Sequence, residues 1–142
     1  MSLPALEDAR IPVKIRLSAL WASVMFCYVY GDYFELYVPG KLQGMLHGRM
    51  EPLGAVTQAI LLGTSIMMVV PSVMIFLCLA LRPSVSRRLN MAFGLVYTAI
   101  MLLIAATSGW IFYVFLALVE VVLTSLVFWH AWRWPRQAIG AG

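Results

Sequence analysis

Residues 110–132 read WIFYVFLALVEVVLTSLVFWHAW, an apolar run interrupted by one acid, Glu120, and one imidazole, His130. At 1.5 Å per residue a helix of this length crosses the ~30 Å hydrocarbon layer of a bilayer. The run is about twice as long as a barrel strand needs, and a span without water must satisfy its backbone internally, so it reads as a membrane helix. Three further runs, 17–38, 56–81 and 89–106, have the same character. The composition agrees. Of 142 residues, 63% are apolar and 11% charged, against roughly 45–50% and about 25% in soluble domains. Four spans of ~20 residues leave no room for a second globular domain. The expected class is an all-α polytopic membrane protein, an antiparallel bundle of four transmembrane helices. It divides into a tail at 1–16, a membrane domain at 17–134 and a tail at 135–142.

Charge sets the orientation. Arg10, Lys14 and Arg16 precede the first run, Arg82, Arg87 and Arg88 follow the second, and Arg133 and Arg136 follow the fourth, leaving Lys41 and Arg49 on the other side. By the positive-inside rule both termini and the middle loop are cytoplasmic. The net charge of +4 therefore reports topology and gives no nucleic-acid footprint. Trp21, Trp129, Trp132 and Trp134 read as inner-interface anchors, and Tyr37, Trp110 and Tyr113 as outer ones.

The link Thr107-Ser108-Gly109 is so short that the third and fourth spans must be antiparallel neighbours. The second span is expected to start after Glu51-Pro52, and Pro71 within it frees a backbone carbonyl and is expected to bend the helix. Between the first two spans, Leu42, Met45, Leu46 and Met50 recur at helical spacing, as in a short helix lying on the outer surface.

The interior carries the chemistry. Glu120 lies ~15 Å from the end of its span, near the bilayer centre, where a carboxyl costs about 2.5–3.5 kcal/mol. An acid facing lipid keeps that penalty, so Glu120 is expected to face the bundle. It belongs to a seam of period 3.5, Tyr113, Ala117, Glu120, Thr124, Val127 and Ala131. Matching seams are Ser18, Trp21, Met25, Tyr28, Asp32 and Glu35 on the first span, Gln58, Leu62, Ser65, Val69 and Ser72 on the second, and Asn90, Gly94, Tyr97, Met101 and Ile104 on the third. Counting from the tight hairpin sets Tyr97 opposite Glu120, and Tyr97 or Thr98 is the expected hydrogen-bond partner of the carboxyl. Asp32 and Glu35, three apart near the outer boundary, form an acidic vestibule or else pair with Lys41, Arg49 or His47. The candidate ligand- or proton-binding set is thus Glu120, Asp32, Glu35, Tyr97, Tyr28, Tyr113 and Gln58.

No catalytic constellation, phosphate loop or C-x-x-C motif is present, so no reaction or cofactor is assigned. Asp32, Glu35, His47 and Glu51 lack a diagnostic metal spacing, and no metal is assigned. Cys27 and Cys78 lie at different depths and are expected to be free thiols.

Lys14 to Trp21 (KIRLSALW), Tyr30-Gly31-Asp32-Tyr33 with Pro39-Gly40, Asn90 and Trp132-Arg133-Trp134-Pro135 together resemble a bacterial family of small four-helix membrane proteins of unknown function. The resemblance spans nearly the whole chain and implies a multi-pass protein of the bacterial inner membrane. Two functional readings stand side by side. One is an outward-facing polar and aromatic pocket that binds or transports a proton, a cation or a small amphipathic ligand. The other is a non-catalytic accessory subunit of a larger membrane complex, or a homo-oligomer, in the lipid bilayer. An enzyme acting on lipid ranks behind both.

Overall fold

The structure, a computed structural model, describes residues 9–50 and 52–135. In chain order the elements are α1 (Val13–Glu35), a short α2 (Lys41–Leu46), a small antiparallel hairpin of β1 (Arg49–Met50) and β2 (Gly54–Ala55), then α3 (Gln58–Ala80), α4 (Pro83–Thr107) and α5 (Ile111–Trp132). The four long helices are each long and apolar enough to cross a membrane. The protein is a multi-pass membrane protein built as a four-helix bundle.

Local chemistry sets the helix ends. Thr57 caps α3, its hydroxyl accepting the Ile60 N–H at 3.2 Å, which satisfies one of the orphan donors of a first turn. Pro83 occupies the first turn of α4, where its missing N–H costs nothing. At the far end of α5, Arg87 reaches across from α4 and donates from Nε to the Ala131 carbonyl at 3.1 Å and from an Nη to that of Trp132 at 3.3 Å. Carbonyls of a last turn lack the usual i+4 donor; that of Ala131 also accepts the Trp134 N–H at 3.4 Å.

α4 and α5 form the most extensive interface, α1 packs against both α3 and α5, and the α3–α4 seam is the sparsest. Neighbours are antiparallel because successive spans alternate in direction. At the centre Trp21 sits edge-on to Tyr97, ring centroids 5.8 Å apart, and donates from Nε1 to Asn90 Oδ1 at 2.7 Å. The same oxygen accepts the Cys78 thiol at 3.3 Å, while the Asn90 amide donates to the Ser86 carbonyl at 2.8 Å. One buried side chain therefore ties α1, α3 and α4 together. Large apolar residues such as Phe26, Phe76, Leu103 and Phe115 are outward and exposed, a surface suited to acyl chains.

The seams of α4 and α5 match the expected ones: Asn90, Gly94, Tyr97 and Met101 are buried on α4, and Ala117, Glu120, Thr124, Val127 and Ala131 on α5. Two seams differ. α1 buries Leu17, Trp21, Val24, Tyr28 and Gly31, one residue round from the expected face, so that Gly31 comes under Leu116 of α5. On α3 the buried face is Pro71, Met74 and Cys78, while Gln58, Leu62, Ser65, Val69 and Ser72 are exposed. The hydroxyls of Ser65 and Ser72 bond the carbonyls of Leu61 and Met68 one turn back, at 2.7 and 2.8 Å. Satisfied within their own helix, they have no need of the interior.

Other boundaries also move. α4 starts at Pro83 rather than 89, so Arg87 and Arg88 belong to a helix and not to a loop. α3 begins at Gln58 rather than directly after Pro52, because the β1–β2 hairpin intervenes. The outer helix stops at Leu46 instead of running to Met50; Gly48 takes a φ of 68°, a left-handed conformation that ends a helix. Trp21, expected at the interface, is wholly buried, since Asn90 supplies an internal acceptor for its N–H. Of the expected tails, residues 1–8 and 136–142 lie outside the described residues, as does Glu51.

Candidate functional site

In the half of the bundle nearer the α1–α2 connection, the side that charge assigns to the outside, the four long helices line a cavity of about 40 Å³. α1 contributes Cys27, Tyr28, Gly31 and Asp32, α3 contributes Met67 and Met68, α4 Met101 and Ile104, and α5 Tyr113, Leu116, Ala117 and Glu120. Gly31 opens the wall on the α1 side, because it extends no side chain toward Leu116.

Glu120 is 5% exposed and Tyr28 6%. The Tyr28 hydroxyl is a fully buried polar atom without a hydrogen-bond partner among the described residues. Among the described residues no group hydrogen-bonds the Glu120 carboxyl either. Asp32 is more exposed and stands at the rim. Two carboxyls and two phenols thus share one small space, and among the described residues no Lys, Arg or His side chain lines it.

The expected partners of Glu120 are engaged elsewhere. Tyr97 donates its hydroxyl to the Met67 carbonyl at 2.5 Å. That carbonyl lies four residues before Pro71, the position whose missing N–H leaves it without a helical donor. Thr98 bonds the Gly94 carbonyl at 2.7 Å and meets the Thr124 hydroxyl at 2.7 Å, one turn beyond Glu120. The register is set by Gly94: a Cβ there would lie 3.0 Å from the Phe128 nitrogen and 3.2 Å from the Thr124 carbonyl oxygen. Only a residue without a side chain lets α5 approach so closely, and that contact, not the turn, aligns the pair.

Of the seven candidate residues the structure gathers Glu120, Tyr28, Asp32 and Tyr113 around the cavity. Tyr97 supports its wall through Met67. Glu35 forms a salt bridge with Lys41 at 2.6 Å, fastening the end of α1 to α2, and is not in the lining. Gln58 lies exposed in the first turn of α3. Sequence reasoning missed Met67 and Met68; the signal available was Pro71, whose unbonded carbonyl partner is residue 67 and calls for a donor there. Cys27 is partly buried and free, as is the buried Cys78.

The pattern of a buried Asn90, the paired aromatics and the basic inner rim extends over the chain, and the profile of a family of unknown function, DUF6326, matches residues 8–141. The chain belongs to this family. No curated protein and no solved structure matches it. A buried phenol with an unused O–H can donate to an anion or water, and two carboxylates can receive protons or a cation.

Proposed function

We propose that this membrane protein binds, and transfers toward the bilayer centre, a proton or small cation entering from the outer side. Asp32 is the first carboxyl met and Glu120 the receiving one, while Tyr28 and Tyr113 form the walls between. The observation that carries this reading is the shared space. A phenol and a carboxyl, both buried within the spans and both without a hydrogen-bond partner among the described residues, face one cavity that no cationic side chain of those residues lines. Unsatisfied polar groups in a bilayer cost several kcal/mol, and intramembrane carboxyls mark ion and proton paths.

Size favours the small occupant. A water needs about 10–15 Å³ of such space, and drug-sized ligands occupy roughly 300–1,000 Å³. A cavity of about 40 Å³ suits a few waters carrying a proton, or one small cation. An amphipathic molecule would have to part the sparse α3–α4 seam.

Thermal unfolding of the purified full chain, followed from about pH 5 to about pH 9 with and without sodium or potassium, tests the reading. The wild-type midpoint is expected to depend on pH or cation in a way that Glu120→Gln abolishes. Superimposable curves for the two proteins would remove the proposal. A second arm measures proton flux in proteoliposomes with an enclosed pH dye, where wild type is expected to exceed Glu120→Gln.

A further inference from the structure

The inner end of the bundle carries a second, larger hollow that the outer cavity does not explain. A groove of about 560 Å³ opens between the start of α1, the start of α4 and the segment after α5. It is lined by Pro12, Val13, Lys14, Pro83, Ser84, Arg87, Trp134 and Pro135.

Its chemistry is one-sided. α1 and α4 both begin here, and the first N–H groups of a helix have no intrahelical acceptor and carry the positive end of its dipole. The Val85 and Ser86 N–H groups both turn to the Arg82 carbonyl, and those of Ile15 and Arg16 to the Pro12 carbonyl, while among the described residues no acceptor meets the N–H groups of Val13, Lys14 and Ser84. Lys14 donates to the Leu79 and Leu81 carbonyls at 3.1 and 2.6 Å; an ammonium has a third hydrogen. Arg87 spends two N–H groups on the end of α5, and a guanidinium has five. The Ser84 hydroxyl and the Trp134 indole add further donors. No acidic side chain among the described residues lines the groove.

The carbonyls of α3 and α5 therefore hold two cations in fixed positions beside two helix N-termini. A pre-positioned cation loses little side-chain freedom when an anion arrives. The groove lies at the ends of the spans, on the side that the positive-inside rule assigns to the cytoplasmic leaflet, and basic hollows between spans on that side receive phospholipid headgroups. Trp134 adds the amphipathic ring favoured at that level.

The geometry points to a binding site for the phosphate of an anionic phospholipid of the cytoplasmic leaflet, held by Lys14, Arg87, Ser84 and the N-terminus of α4. The inference is independent of the outer cavity, and its test does not involve Glu120.

The full chain is placed in phosphatidylcholine nanodiscs with increasing phosphatidylglycerol, and thermal stability and lipid retained through purification are measured. Wild type is expected to gain stability and to retain phosphatidylglycerol over phosphatidylcholine. Lys14 and Arg87 also cap helices, so their loss would mix binding with folding. Ser84→Glu avoids this, because an acid in the first turn of a helix is compatible with the dipole and Ser84 is exposed. It is expected to fold normally and to retain the anionic lipid about tenfold less well. Arg88→Gln, outside the groove lining, removes a cation of the same rim and is expected to behave as wild type. Equal retention by Ser84→Glu and wild type would overturn the site in favour of diffuse surface charge, as would a loss in Arg88→Gln as large as in Ser84→Glu. A matching stabilisation by inorganic phosphate in phosphatidylcholine alone would overturn the lipid assignment.

Discussion

Gly94 and Gly63 show how one missing Cβ has opposite meanings in two helices. A methyl group at 94 would press on the Phe128 nitrogen and the Thr124 carbonyl, backbone atoms that cannot swing aside, whereas at 63 nothing lies within 4 Å. Gly94→Ala is expected to destabilise the bundle by on the order of 1–3 kcal/mol through overpacking. Gly63→Ala is expected to be neutral or to stabilise by up to about 1 kcal/mol through helix propensity. Reversible unfolding in mixed micelles measures both. Equal effects would show that the close approach of α5 does not depend on Gly94. Spacing placed Gly94 on the correct face; what it could not display is that the opposing atoms are backbone.

Among the elements, α3 depends on a neighbour for its own hydrogen bonding. Pro71 leaves the Met67 carbonyl without a donor, and Tyr97 on α4 supplies one. Tyr97→Phe is expected to cost roughly 0.6–1.7 kcal/mol, the range of interhelical hydrogen bonds in membranes. In a Pro71→Ala background the N–H of residue 71 takes the carbonyl, and the same Tyr97→Phe change is expected to cost little. A double-mutant cycle reads this coupling; additive effects would mean that Tyr97 acts through packing alone. The freed carbonyl was foreseeable from proline chemistry. Its donor was not, because the choice between Glu120 and Met67 turns on the relative height of α3 and α4, which no single-chain periodicity contains.

For the molecule as a whole, the cations of the two rims are unevenly divided. Lys14, Arg82, Arg87, Arg88 and Arg133 gather at one end, and Lys41 and Arg49 at the other, where Lys41 is held by Glu35. A membrane-impermeant maleimide is expected to label Gln43→Cys in spheroplasts and to reach Ser84→Cys only after permeabilisation. The reverse pattern would invert the bundle and put the cavity on the cytoplasmic side. Because the wild-type thiols of Cys27 and Cys78 are partly or wholly buried, unmodified protein provides the background.

Hydropathy was sufficient for the four spans and their alternation, since crossing lipid constrains each helix separately and leaves the same mark in any bundle; the side on which the ends lie rests on the charge bias that the labelling experiment tests. The inward turn of Glu120 followed for the same reason: the penalty for facing acyl chains is local. The partners were another matter. α1 turned by one residue to seat Gly31 against α5, Ser65 and Ser72 of α3 bonded their own helix's carbonyls, Ser72 meeting α1 only at the Met25 sulfur, and Tyr97 passed over Glu120 for Met67. Each of these depends on the heights and rotations of two helices at once, quantities that close packing fixes only when all four are assembled. The empty-handed carboxyl and phenol in the outer cavity are a consequence of that assembly.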